Sequence, residues 1–281
     1  AYRDITGMLR ILLVGMVLFI PNMRNIPFEP PIPGLNILNI LFLLALASYY
    51  SVRSSFKDGA VSAPIGKYVI FFWVASGIAL INGMVRGDVP ASIEDVIFYK
   101  NHVFYMGLYF LYFYAVRDRK TLDQVYWALI FVTAVAGLQA VRQALSIGAS
   151  GYSVGARVSG PFGSGWENAN MAGVFYAQYA PIIFGELIYQ RDIRLRILLM
   201  VGLAFTVMGL FYTYSRKSYY ALAAALSLIG ATTSKYALIL IFVVLGTFPA
   251  WAPESAVQRI FGNEEEQFQG NVNDESTESR F

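Results

Sequence analysis

The chain has 281 residues, of which 57% are hydrophobic and 14% charged, with a mean hydropathy of +0.52. A water-soluble fold of this length cannot bury that much apolar surface and still cover itself with polar groups, so the composition excludes one. A net charge of +3 gives no case for a nucleic-acid partner, and the lack of cysteine excludes a disulfide framework or a thiolate metal site.

The apolar runs are continuous rather than alternating, which fits membrane-crossing helices and not a β-barrel. The expected fold is all-α, a polytopic transmembrane helix bundle of about nine spans near 8–21, 35–52, 68–85, 101–116, 122–145, 168–189, 193–214, 217–233 and 235–251. They make up a transmembrane domain over 1–252. The acidic, polar segment 253–281 reads as the start of a longer periplasmic loop. The first span is short, and the last two are short and nearly contiguous, so one of them is expected to be broken or re-entrant. Pro21, Pro27, Pro30, Pro31 and Pro33 make the first connector a poor helix. Ser92 with Asp95, and Thr121 with Gln124, have capping-box spacing and are expected to start helices. No internal repeat is visible, which removes the inverted-repeat signature of many transporters.

Charge sets the expected orientation. With a cytoplasmic start, twelve of the 21 Lys and Arg residues fall inside, most densely in "RDRK" (117–120) and "RDIRLR" (191–196). Short basic connectors of this kind stay in the cytoplasm. The glycine-dense loop before residue 168, the "SRKS" turn near residue 216 and the C-terminal segment then lie outside. Tyr and Phe crowd the span ends, as in "YFLYFY" and "KSYY", in the manner of an interfacial aromatic belt.

The loop "GARVSGPFGSGWENANMAG" (155–173) combines several features that suit an anion. Glycine permits positive φ and a close approach of backbone to ligand. Asn168 is a good N-cap for the span that follows, and a helix N-terminus fed by a glycine-rich turn favours negative charge. Arg157 adds a guanidinium suited to phosphate oxygens. Glu167 repels a phosphate; its roles are to orient Arg157 or to take a proton from an attacking hydroxyl. The same residues also read as an ordinary external connector with a capped helix. The pattern is neither a phosphate loop of the G-x-x-x-x-G-K-[ST] type nor a dinucleotide motif.

A second cationic segment follows one span pair later. "FYTYSRKSYYALAAA" puts Arg216 and Lys217 between two spans, on the face where basic residues are scarce. They read either as side chains snorkelling at the headgroups or as a second clamp facing the first. Thr213, Ser215 and Ser218 supply hydroxyls beside them.

Taken in order, "RVSGPFGSGWENANMAGVFYAQYAP", a span pair and "TYSRKSYYALA" resemble the O-antigen ligase/polymerase family of bacterial envelope glycosyltransferases, which are GT-C-like membrane enzymes. The family pattern of an arginine, a G-x-F turn, an asparagine at a helix start and a later T-x-S-R falls on Arg157, Gly160 to Phe162, Asn168 or Asn170, and Thr213 to Arg216. The resemblance implies a multi-pass protein of the bacterial inner membrane, active at its periplasmic face. It implies transfer of a glycan from undecaprenyl diphosphate to a glycan or lipid acceptor, with no metal and no cofactor. Arg157, Arg216 and Glu167 are then the expected catalytic residues. Lys217, Asn168, Asn170 and Arg280 join the two arginines as the expected diphosphate site.

The family carries a large periplasmic region with an arginine and a histidine after this point. Here Arg280 is the expected match to that arginine, and the sole histidine, His102, does not match in position. His102 reads as an interfacial structural residue or, if it faces the site, as a base. Arg86, Asp88, Glu94, Asp95 and Lys100 cluster near it, either as a solvated face or as lining of a donor cavity. Gln139 and Arg142 lie late in the fifth span, where a buried arginine is costly and functional. Glu186 is expected to pair with Arg191 or nearby bases. A polysaccharide transporter or flippase is the main alternative, and a structural subunit the third; a transporter needs polar groups at mid-span, whereas the informative charges here gather at one face.

Overall fold

The structure, a computed structural model, describes residues 4–19, 37–53, 62–86, 92–148, 157–163, 166–233, 235–251 and 257. Its described elements are helical throughout. They are α1 (Ile5–Val14) with a π-helical turn (Gly15–Phe19), α2 (Ile37–Val52), α3 (Gly66–Arg86), α4 (Ile93–Ala115), α5 (Arg119–Ile147), α6 (Trp166–Tyr189), α7 (Ile193–Tyr212), α8 (Arg216–Thr233), α9 (Lys235–Gly246) and α10 (Phe248–Trp251). Each apolar run in the sequence has become a helix, and the last one is broken after Gly246, as its shortness predicts.

Four of these helices are long and apolar enough to cross a membrane: Gly66–Arg86, Arg119–Ile147, Asn168–Tyr189 and Ile193–Tyr212. That is fewer than the nine spans expected from hydropathy. α1, α2 and α9 have 10, 16 and 12 residues, short of the usual crossing length. α4 carries Lys100, Asn101 and His102 within its length, and α8 opens on Arg216 and Lys217.

The helix starts follow local chemistry. Ser92 and Asp95 form the expected capping box, with the Ser92 hydroxyl accepting from Asp95 N and the Asp95 carboxylate accepting from Ser92 N. The expectation for Thr121 is corrected. α5 begins at Arg119, and Asp118 caps it by accepting from Thr121 N (2.8 Å) and Thr121 Oγ1 (2.7 Å). A carboxylate accepts two such bonds better than a hydroxyl accepts one, so the helix starts two residues before Thr121. Those two bonds, the side-chain one first, hold the Asp118 carboxyl below its ordinary range.

The chain divides into two compact units, Ala1–Met16 with Arg24–Ala128, and Val17–Met23 with Leu129–Phe281. In the first, polar side chains lock helix to helix at single points. Thr6 and Thr121 share a hydroxyl hydrogen bond (3.0 Å), Tyr112 Oη donates to Leu9 O (2.9 Å), and Tyr99 Oη donates to Trp73 O (2.9 Å). Phe42 packs on Phe104 and fills the space over Gly107.

The second unit is built on small residues. A Cβ added at Gly137 of α5 would stand 2.7 Å from the backbone of Phe205 and Thr206 of α7. Gly209 faces Gly137 and Ala140, and Gly202 faces Ala134. Glycine and alanine let two helix backbones touch, which is how apolar helices associate where lipid removes the hydrophobic driving force. Thr133, Ala136, Ala140 and Ala144 continue the buried stripe along α5.

Candidate functional site

α6 presents its own small-residue stripe. Ala169, Gly173, Ala177 and Ala180 recur at three- and four-residue intervals, Ala172 flanks Gly173, and all four alanines are buried. This lets the segment 157–163 and the turn between α7 and α8 close onto the first turns of α6.

The 157–163 segment is fixed at both ends. Gln143 Oε1, projecting from α5, accepts from Ser159 N (3.3 Å) and Gly160 N (2.8 Å). Ser159 Oγ donates to Gly163 O. Residues Gly160–Phe162 form a single 3-10 turn with buried Pro161 at its start. Gly160 has φ +58°, and a Cβ there would meet Tyr176 Oη at 2.5 Å, so only glycine fits. Tyr176 is fully buried and donates to Ala136 O (2.9 Å), which ties α6 to α5 directly beneath this turn.

The α7–α8 turn is equally determined. Val158 N donates to Tyr212 O (3.0 Å), Thr213 Oγ1 donates back to Leu210 O (2.7 Å), and Ser218 Oγ donates to Ser215 Oγ (3.0 Å). Thr213, Ser215 and Ser218 are all buried. Tyr214 sits at φ +52°, a left-handed conformation that costs a non-glycine residue roughly 1–2 kcal/mol. Its side chain is 1% exposed, and that burial offsets the cost. Gly173 of α6 comes so close that an added Cβ would stand 2.7 Å from Ser218 Oγ and 2.9 Å from Thr213 Oγ1.

Arg157 joins the three parts. Its Nε donates to Thr213 O (2.9 Å) and its Nη2 to Asn170 Oδ1 (2.6 Å). The two segments singled out in the sequence, 56 residues apart, are therefore in direct contact. Arg216 is the first residue of α8 and half-buried; Lys217 follows it and is exposed. Two cations thus stand in the first turn of a helix, where the dipole's positive end disfavours them and favours anions.

Not every expected residue falls where the sequence suggested. Asn168 does not cap α6. The helix already runs from Trp166, which puts Asn168 inside its first turn, with its amide beside Gly163. Asn170, expected beside Arg157, accepts from its Nη2. Arg142 is exposed, not buried, since it points away from the stripe that packs α5. Gln139, on the packed side, has an Oε1 that is buried with no hydrogen-bond partner among the described residues. The Glu167 side chain, Arg280 and Asp88 lie outside what is described, as does the Glu94 side chain. In the first unit His102 is exposed, its ring 4.4 Å from Phe98 and its Nδ1 3.1 Å from Phe98 O, a contact within one helical turn. Arg191 is exposed and has no side-chain partner among the described residues, so of the bases expected for Glu186 it is not the one that pairs. Among the described residues no three His, Asp or Glu side chains gather as metal ligands.

Gln143, Gly173 and Tyr176 were missed by sequence reasoning. Gln143 lies one turn after Gln139 on the same face of α5, and that spacing is the one signal able to flag it. Compared with known protein families, with curated proteins and with solved structures, the chain matches none.

Proposed function

We propose that the protein is a membrane glycosyltransferase of envelope polysaccharide assembly. It moves a glycan from undecaprenyl diphosphate to an acceptor sugar, as polymerase or ligase, at the periplasmic face of the bacterial inner membrane. The short helices α1, α2, α8 and α9 and the more polar α4 cross with the four long ones to give about nine spans. The observation that carries this reading is the contact of the two cationic segments through the Arg157 guanidinium and Thr213 O.

In the proposed reaction, an acceptor hydroxyl oxygen bonds to the anomeric carbon as the bond from that carbon to the diphosphate oxygen breaks. The electron pair leaves with the lipid diphosphate, and the hydroxyl proton passes to a base, assigned to Glu167. Charge develops on the leaving diphosphate, and fixed cations beside it lower the barrier most. Arg157 is held by α6 and the α7–α8 turn, so its charge needs little reorganisation. Arg216 and Lys217 add to the positive potential of the α8 N-terminus, a field that an anionic headgroup relieves. Asn170 supports the guanidinium, and Asn168 and Arg280 remain assigned to the diphosphate.

The test is turnover of a polyprenyl-diphosphate-linked glycan by the purified full chain. Arg157→Ala and Arg216→Ala should each abolish transfer in protein that elutes and melts as folded. Arg157→Lys should retain a fraction of the rate, because it keeps the charge and loses the two directed bonds. Rates like wild type in both alanine variants would remove the assignment.

A further inference from the structure

The start of α7 poses a solvation problem that the protein itself does not solve. From Arg191 to Leu198 every residue is exposed, around the whole circumference of the helix, and Leu199 is the first buried position. Within this stub, Ile193, Leu195, Ile197 and Leu198 are between 37% and 64% exposed, and Tyr189 just before it is 72% exposed. Arg191, Arg194 and Arg196 are interleaved with them, and none of the three guanidinium groups has a hydrogen-bond or ion-pair partner among the described residues. The neighbouring acid is otherwise engaged. Asp192 caps the helix, its Oδ1 accepting from Arg194 N (2.8 Å) and its own N donating to Gln190 Oε1 (3.0 Å).

Water suits the arginines and not the four aliphatic side chains; hydrocarbon suits the aliphatics and not the arginines. Only the headgroup layer suits both. There the apolar side chains reach inward while arginines snorkel outward to phosphate oxygens, and Tyr189 sits at the boundary. The positive end of the α7 dipole adds to the three charges. We propose that the stub formed by Arg191, Arg194 and Arg196 at the start of α7 is a binding site for anionic phospholipid headgroups. Each guanidinium presents a planar donor fork to phosphodiester oxygens, and the interleaved aliphatics hold the acyl chains beside them. The site is independent of the Arg157 region and of any transfer activity.

The experiment is native mass spectrometry of the full chain released from mixed phosphatidylglycerol and phosphatidylcholine vesicles. Wild type should retain the anionic lipid preferentially. Arg191→Gln/Arg194→Gln/Arg196→Gln should lower that enrichment by about fivefold for each charge removed at low salt, and the corresponding triple Lys variant should keep most of it. Arg142→Gln, an exposed arginine elsewhere, should leave it unchanged. A salt titration of wild type supplies a test needing no variant, because enrichment carried by these charges falls as ionic strength rises. No enrichment in wild type, enrichment insensitive to salt, undiminished enrichment in the Gln variant, or equal displacement by free inorganic phosphate would each overturn the proposal.

Discussion

α3 and α6 are both long and apolar enough to cross a membrane, yet none of the apolar stretch of α3 is buried, against 39% of that of α6. Both are apolar enough to cross, and α3 is the more apolar of the two, yet it is the less buried; side-chain size on the packed face accounts for the difference. α3 displays Tyr68, Ile70, Phe71, Phe72, Val74, Ile78 and Ile81 as exposed side chains and meets α4 through aromatic contacts such as Trp73 on Phe110. α6 carries alanines and Gly173 on one stripe, and against that stripe the chain lays its most polar turns. Apolar length takes a helix into the bilayer, but close backbone approach brings a guanidinium, three buried hydroxyls and a strained tyrosine together.

The sharpest way to break this contrast is to enlarge one glycine in each region. Gly137→Leu drives a side chain into the backbone of Phe205 and Thr206, which no rotamer change relieves. It should cost at least about 3 kcal/mol, the upper part of the overpacking range. Gly83→Leu on α3 meets no atom within 4 Å of the new Cβ and should be close to neutral. Thermal melting of detergent-purified variants measures both. Equal losses would mean that the small-residue stripe is not what holds the second unit together.

A smaller effect separates the polar ties of the two regions. Gln143→Leu removes the acceptor for two backbone N–H groups, on the buried Ser159 and on Gly160. Leaving them unpaired should cost about 1–3 kcal/mol, and the loop bearing Arg157 should become protease-sensitive. Tyr99→Phe removes one donor to Trp73 O, a carbonyl within helix α3, and should cost no more than about 1 kcal/mol. Limited proteolysis and melting together read the difference; a loop as protected in Gln143→Leu as in wild type would show that Gln143 does not hold it.

Much of the architecture was legible because a helix is written in contiguous residues. The apolar runs located the helices, and Ser92 with Asp95 located a cap, since both signals lie within one turn. The apposition of "RVSGPFG" and "TYSRKS" was legible only as one of two readings of the cationic residues, a second clamp facing the first; no periodicity encodes a bond from Arg157 to a carbonyl in the α7–α8 turn. Gln143, Gly173 and Tyr176 stayed hidden for the same reason. Each acts across an interface, and a glutamine, a glycine and a tyrosine are unremarkable inside an apolar helix. Thr121 misled because its spacing to Gln124 competes with a stronger acceptor three residues upstream, and hydroxyl and carboxylate strength decide that contest, not pattern. Four helices alone reach crossing length and apolarity among the described residues; hydropathy located the other runs too, but it does not subtract for length or for the polar residues in α4 and α8.

That contest gives the smallest and most local prediction. The folded Asp118 carboxyl is held below its ordinary range, chiefly by the Thr121 hydroxyl and then by Thr121 N. A depressed carboxylate contributes stability that is fully present above the unfolded value, near 3.9, and is lost as pH falls through the lower folded value. Asp118→Asn removes the charge while leaving one acceptor for the cap. The variant should therefore melt slightly below wild type at neutral pH, and the gap should close as pH falls below about 4. The Thr6–Thr121 contact shares the same hydroxyl, so Thr6→Val is the control that tests whether the gap belongs to the cap. In a Thr6→Val background the pH-dependent gap should persist. A gap that is constant with pH, or that vanishes with Thr6, would assign the start of α5 to helix packing rather than to the carboxylate.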